Sequence, residues 1–347
     1  MLYKWLQPSC DEFKQAYLGG RLPGSVIIAA SRQLGGENLA LECAKLYLCH
    51  DPTPGGACGG CSSCRSFAAA SHPDFIAVLS STSDELDRGE DLTNNPTAVL
   101  ENDVNDSRHT VRVDSLRQLS HWLNESAVGG ERKCAIISNA HQMLPSAANS
   151  ILKTFEEPPE NTLIIMVSDS LSALLPTILS RAFKITVPEV KKETGLEFLK
   201  NSISGTLDLN RGELGLKLAA NAPLGAKEYL EDGTVESCTE VIEALGVAVK
   251  TGYEHDAVKA LLRLDSFKQA LILNEFIDEV LKFKAGVSQA ELPLLRISDP
   301  LLFAKLPATH LFKAHDDMIY IKNKAPFLPS RAPAALLTAW IKALVKG

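Results

Sequence analysis

Four cysteines fall close together with the spacing Cys49-x8-Cys58-x2-Cys61-x2-Cys64. Thiolates bind zinc tetrahedrally, and two successive C-x-x-C steps let a short knuckle wrap one ion. Gly55, Gly56, Gly59 and Gly60 give the chain the backbone freedom that such a knuckle needs. Four thiolates close the coordination shell and leave no position for water, so the chemistry implied is structural binding of Zn2+ and not hydrolysis. Two alternatives stand beside it. The cysteines are free thiols clustered by chance, or His50 replaces one of them. Cys49 has the better claim, because a histidine is more often found outside.

A second group lies just upstream. Ser25-Val-Ile-Ile-Ala-Ala30 reads as a buried strand, and Ala30-Ser-Arg-Gln-Leu-Gly35-Gly36-Glu37 follows it into a helix. This is the place of a P-loop, G-x-x-x-x-G-K-[ST], whose lysine and hydroxyl hold phosphates and magnesium. Gly36 stands in place of the lysine and Glu37 in place of the hydroxyl. A carboxylate at a helix N-terminus takes the electropositive position that a phosphate would want, so attraction is removed and repulsion added. The strand that would end in metal-holding carboxylates reads Ile136-Ile137 followed by Ser138-Asn139. Two separate losses make ATP hydrolysis by this chain improbable. Binding of a nucleotide through backbone amides, without turnover, stays open. Arg181, after Ser180 and expected just past a sheet strand, is either a surface arginine in a local ion pair or an arginine finger offered to a neighbour's nucleotide.

The elements that must position these residues alternate. Glu37 to Cys49 is helical, Phe75–Leu79 a second strand, Asp114 the start of a helix with Leu116, Leu119 and Leu123 on one face. Lys133–Ile137 is a third strand, 147–156 a helix stopped by Pro158-Pro159, and Leu163–Val167 a fourth strand. That rhythm predicts a parallel sheet covered on both faces. Residues 177–187 hold a short helix end and a strand. From Val190 on only helices are expected, the clearest at Ser266–Lys284 with Phe267, Leu271, Leu273, Phe276, Ile277, Val280 and Leu281 as its stripe, with others at 240–250, 310–322 and 333–345. The acidic stretch from Ser81 to His109 has few large apolar residues and is expected to be a flexible surface insertion, with an acidic tether as the functional alternative.

The 347 residues allow two or three domains, and 45% hydrophobic with 22% charged residues is ordinary for a soluble globular chain. A formal charge of −7 argues against a protein that binds nucleic acid alone through a strong positive field. No apolar run approaches the ~20 residues of a membrane span, and no signal-peptide pattern opens the sequence. Cys10, Cys43, Cys134 and Cys238 are scattered singly, as expected of buried thiols in a reducing cytoplasm.

Several segments together resemble one family. Cys58-Gly-Gly-Cys-Ser-Ser-Cys64, His72-Pro-Asp74, Asn149-Ser-Ile-Leu-Lys-Thr-Phe-Glu-Glu-Pro-Pro159 and Pro176-Thr-Ile-Leu-Ser-Arg181 are similar to the clamp-loader AAA+ subunits of bacterial DNA polymerase III, as are Trp5-Leu-Gln-Pro and Gly19-Gly-Arg-Leu-Pro. The resemblance covers about residues 1–230. It implies an AAA+ P-loop-type parallel sheet with the zinc module inserted (1–167), a small helical lid (168–232) and a helical C-terminal collar (233–347). Within the family the degenerate loop matches the inert stator rather than a motor. The implied partners are the motor subunits (gamma/tau), the delta subunit and, through the complex, the sliding clamp and primer-template DNA. Arg181 would act in trans on ATP held by the neighbour. Two departures stand out: the family's Ser-Arg-Cys is Ser180-Arg181-Ala182 here, and Ala222-Pro-Leu-Gly-Ala-Lys227 lacks a clear nucleotide-sensing arginine. An ATP-hydrolysing motor subunit and a zinc-finger DNA-binding protein are the alternative functions. The latter is weakened by the nearly uncharged run after Cys64.

Overall fold

A computed structural model describes residues 2–80, 92–101 and 110–324. The chain divides into two compact units, Met1–Pro188 and Glu189–Gly347.

The first unit is built on a six-stranded sheet of order β3-β2-β4-β5-β1-β6. Its strands are β1 (Ser25–Ala29), β2 (Phe75–Val78), β3 (Leu92–Thr93), β4 (Lys133–Ile137), β5 (Thr162–Ser168) and β6 (Phe183–Thr186). All neighbours are parallel except the edge pair β2–β3. Every residue of β4 and β5 is buried, which is why these strands read as unbroken apolar runs rather than as alternation. β1 lies between β5 and β6, with Val26 opposite both Ile165 and Phe183. The turn after β1 therefore opens beside the C-terminal ends of β5 and β6, with the end of β4 one strand further on.

Helices cover the sheet. α1 (Gln7–Leu18) starts with Pro8 in its first turn and buries Phe13. α2 (Gly36–Leu48) follows β1, and α3 (Ser62–Ala68) follows the cysteine knuckle. α4 (Pro96–Glu101), α5 (Val113–Leu123), α6 (Pro145–Glu156) and α7 (Pro176–Arg181) complete the unit. Leu116, Leu119 and Leu123 of α5, Ile151 and Phe155 of α6 and Ile178 of α7 share one core with Ile27, Ile137 and Met166 of the strands.

Three expectations change here. The sheet runs on past residue 167, because β6 pairs with β1, and the first unit ends at Pro188. Arg181 ends a helix before β6 instead of following a strand, because Pro176 opens a helical turn in what reads as an apolar run. Within the acidic insertion, 92–101 forms β3 and α4, with Val99 fully buried, so this part is not a loose loop. Residues 81–91 and 102–109 lie outside the described residues.

The second unit is helical throughout its described residues, with α8 (Lys192–Ser202), α9 (Leu209–Leu218), α10 (Pro223–Glu231), α11 (Thr234–Thr251), α12 (His255–Leu261), α13 (Ser266–Lys284), α14 (Pro300–Ala304) and α15 (Ala308–Lys324). The expected helix over 333–345 lies outside the described residues. α13 is its central element. Asp265 caps it by accepting the Lys268 amide, and Phe276 meets Phe303 of α14 edge to face at 4.8 Å. Phe267, expected in the buried stripe, is exposed at the first turn.

One carboxyl group on α13 is fully buried. Glu279 accepts the amides of Leu294 (2.9 Å) and Leu295 (3.0 Å) through one oxygen, and its other oxygen has no partner. Burial pushes its pKa up to about 7; the two amides and Lys217 work against this, and Asp278 adds to it. A carboxyl whose folded pKa is raised binds its proton more tightly in the folded state. Its stabilising contribution is therefore whole below the unfolded value and is lost as pH rises through about 7. Glu279→Gln keeps an acceptor for both amides and removes the titration. The melting temperature of the wild type, relative to this variant, is expected to fall between pH 5 and pH 8. A difference independent of pH would show that Glu279 is not the titrating group.

Candidate metal centre and the remnant nucleotide site

The knuckle folds so that the sulfur atoms of Cys49, Cys58, Cys61 and Cys64 all lie within 4.8 Å of one another. A tetrahedron of sulfurs each ~2.3 Å from zinc has edges of about 3.8 Å, and Cys58 and Cys64 are already 4.0 Å apart. The backbone amides of Cys58, Cys61 and Cys64 donate to the sulfurs of Cys49, Cys58 and Cys61 at 3.2, 3.4 and 3.3 Å. Amides aimed at sulfur favour thiolate over thiol. At Cys58, amide donors led by Gly60 lower the pKa. At Cys61 partial burial opposes ionisation, but the amides of Cys64 and His50 and the neighbouring thiols outweigh it and bring the pKa down to about 6. Burial pushes Cys49 up and Cys64 up to about 12. A divalent cation at the centre is what would let all four ionise together. The donor set therefore fits zinc, with all four cysteines as ligands. His50 stays outside it, its ring 3.4 Å from the Ser62 hydroxyl.

Polar contacts dock this module on the sheet. His72 is buried; its Nδ1 accepts the Asp74 amide (3.1 Å), which leaves Nε2–H to donate to the Ser63 hydroxyl (2.9 Å), and that hydroxyl donates to the Leu48 carbonyl (2.7 Å). The Asp74 carboxylate accepts the amides of Val128 (2.6 Å) and Gly129 (2.7 Å). Arg132, entering β4, donates to the carbonyls of Tyr47 and Cys49. The His72-Pro-Asp74 motif, quoted above without a role, is thus the clasp between knuckle and core.

The turn after β1 is closed on itself. Residues 32–34 form one 3-10 turn, and the amides of Leu34, Gly35 and Gly36 donate to the carbonyls of Ser31, Arg32 and Ser31 at 3.0, 2.8 and 3.2 Å. Amides that a P-loop turns toward phosphate are spent here. Gly35 has φ +87°, and a Cβ on Gly36 would come within 2.9 Å of both the Ala30 carbonyl and a Val167 methyl. No lysine fits there without moving main chain. The Trp5 indole covers the turn, donating to the Leu34 carbonyl at 2.8 Å, with Tyr3 stacked on it.

Glu37, in the first turn of α2, is only 2% exposed. One of its oxygens accepts the Ser138 hydroxyl at 3.2 Å from the end of β4, and the other has no partner. Burial raises its pKa; its own amide, Arg32 and Ser138 pull the other way. The Asn139 amide group donates to Ser138 (3.1 Å) and Ser80 (3.3 Å). Glu37, Ser138 and Asn139 are therefore brought together, beneath Gly35 and Gly36. Arg32 reaches away to the carbonyl of Leu100 on α4. Ser180 donates only to the Thr177 carbonyl within its own helix, and the exposed guanidinium of Arg181 is paired with Glu156. Sequence reasoning missed Arg32, Arg132, Ser63 and Glu156. Glu156, Ser63 and Arg32 each lie within a run quoted above, and Arg132 had no local signal.

Residues 6–191 match the family model described as DNA polymerase III, delta subunit. The chain belongs to this family. Among curated members of the delta-subunit family, it is 29% identical over 251 residues to DNA polymerase III subunit delta' of Pseudomonas aeruginosa, covering 72% of this chain and 67% of that one. It is 24% identical over 309 residues to subunit delta' of Escherichia coli strain K12, covering 89% and 83%. A solved DNA polymerase III gamma subunit-related protein from Thermotoga maritima aligns over 97% of this chain and 99% of its own, at 19% identity and a TM-score of 0.45. Among the described residues no helix is long and apolar enough to cross a membrane.

Metal analysis of protein purified without added zinc is expected to find one zinc per chain. Cys61→Ala should lose it and expose the 50–62 region to protease while the sheet unfolds at nearly its usual temperature, since the core that joins the strands to α5, α6 and α7 contains no residue of 49–64. Acid should release the metal, because every ligand must be deprotonated to bind. A zinc content near zero in fresh, reduced protein would refute the assignment.

Proposed function

We propose that this chain is the non-hydrolysing stator, the delta-prime position, of a DNA polymerase III clamp loader in the cytoplasm. It would pack beside a gamma/tau-type motor subunit, with the delta subunit in the same ring, and help to load the sliding clamp on primed DNA. The observation that carries this reading is the closed turn over Glu37: a spent set of amides, no room for a lysine at Gly36 and a carboxylate where phosphate would bind. A motor subunit is disfavoured by the same features. A zinc-finger DNA-binding protein is disfavoured because α3, the helix on the knuckle, carries Arg65 as its single charge.

In this role the helices of 189–232 act as the lid and those from 233 on as the collar that joins the ring. The ATP that matters is bound by the neighbour. Arg181 ends α7 with its side chain about half exposed, which suits a guanidinium that must reach another chain. Such an arginine stabilises the charge that develops on a transferring phosphoryl group.

Two outcomes follow. The isolated chain is expected neither to bind nor to turn over ATP in a fluorescent-nucleotide titration and a phosphate-release assay; turnover abolished by a change at Gly36 or Ser138 would overturn this. Arg181→Ala should leave folding and assembly intact and lower hydrolysis at the one adjacent motor site, where a finger is worth about 10³–10⁵ in rate. Arg181→Lys should rescue poorly, since lysine lacks the planar fork. Clamp- and DNA-stimulated ATPase of the rebuilt complex measures it, and wild-type rates at every motor site would reduce Arg181 to a structural arginine.

A further inference from the structure

The guanidinium of Arg181 is held by this chain's own Glu156. Glu156 is the last residue of α6 and Arg181 the last of α7. Ile151 and Phe155 of α6 share a buried core with Ile178 of α7, so apolar packing already fixes the two helix ends near each other. The ion pair is not needed for that. It lies at the surface, with the Glu156 side chain 27% and the Arg181 side chain 52% exposed. Surface pairs contribute little to stability and yield readily to competing ions. Glu156 is also badly placed for its own helix, since a carboxylate at a helix C-terminus faces the negative end of the macrodipole. Neither helix stability nor core packing accounts for a carboxylate at this point, whereas the guanidinium beside it does.

We propose that Glu156 is a positioning residue for Arg181, holding the guanidinium on its own chain until the phosphates of a neighbouring nucleotide compete for it. This rests on the arginine-finger reading above. Carboxylate and phosphate both offer the guanidinium fork a pair of oxygens, and it serves one of them at a time. While Glu156 holds it the finger is withdrawn, and a negative charge stands beside the path that a phosphate must approach. When the motor site closes on ATP, the more highly charged phosphates take the guanidinium and Glu156 returns to solvent. Hydrolysis at that interface is thereby kept low until the assembled geometry brings the phosphates close.

The test uses the complex rebuilt with motor and delta subunits, with the other motor sites disabled at their phosphate-binding lysines. ATPase is followed against ATP concentration with and without clamp and primed DNA. Glu156→Gln keeps the shape and removes the charge. It is expected to raise the unstimulated rate, through a lower KM for ATP, by about one-and-a-half- to fivefold, the span that a surface ion pair can impose on an equilibrium. The fully stimulated kcat should stay near wild type. Glu156→Asp, which keeps the charge, should restore the restraint. In an Arg181→Ala background Glu156→Gln should change nothing. The same rise in that background would mean that Glu156 acts without Arg181, and the inference falls. It falls too if Glu156→Gln alone has no effect while Arg181→Ala lowers the rate. If Arg181→Ala leaves the rate untouched, the finger reading fails and takes this inference with it.

Discussion

The contact between Glu37 and Ser138 sets the character of the first unit. It joins the first turn of α2 to the end of β4, across the C-terminal edge of the sheet, with both side chains almost fully buried. A buried carboxylate with one unpartnered oxygen is costly unless its surroundings hold it. The surroundings here do so: Ser138 donates to it, Asn139 fixes Ser138, and Ser80 fixes Asn139. The turn above is braced on several sides: the amides of Leu34, Gly35 and Gly36 bond within it, Gly36 lies against Ala30 and Val167, and the Trp5 indole donates to the Leu34 carbonyl. Each contact is modest, but they share partners and fail or hold together.

The cysteine knuckle is attached by a different device. The knuckle has almost no apolar core of its own beyond Phe67, which meets Phe75 edge to face at 5.1 Å. What orients it is a chain of polar groups with complete partners: Leu48 carbonyl, Ser63, His72, the Asp74 amide, and the Asp74 carboxylate on to Val128 and Gly129. Arg132 adds bonds to the carbonyls on either side of Leu48. Burial lowers the pKa of His72, with Asp74 opposing, so the ring stays neutral and keeps the tautomer that this chain of bonds requires.

What was legible in the sequence was what is local or wholly buried. The four cysteines announce themselves by spacing. β1, β2, β4 and β5 announce themselves because strands covered on both faces are continuous apolar runs. β6 was only half visible, since Lys184 and Thr186 on it are exposed. β3 was invisible: two residues in an acidic stretch are a strand only because the edge of β2 is there to pair with. Arg181, expected just past a strand in an apolar stretch, instead ends the helical turn that Pro176 opens, because an apolar run this short does not by itself separate strand from helix. The pairings that matter most lay out of reach. Glu37 and Ser138 are 101 positions apart and meet through the order of the strands, and Glu156 meets Arg181 through the packing of two helices.

The remnant site is altered as well as depleted. In a P-loop ATPase the loop contributes a hydroxyl and the neighbouring strand a carboxylate, and a magnesium ion joins them. Here the loop side carries the carboxylate, Glu37, and the strand side the hydroxyl, Ser138, and they bond to each other directly. The junction survives with its chemistry exchanged between its two halves, and it no longer needs a cation or a phosphate to bridge it. A ligand shifts a conformational equilibrium only by its differential affinity for the two states. A junction closed by its own side chains offers nucleotide no such difference. In the proposed stator role this is the useful property: the main chain that carries Arg181 keeps one geometry through the ATP cycle, so that only the exchange of its guanidinium between Glu156 and phosphate and the motion of the neighbours remain.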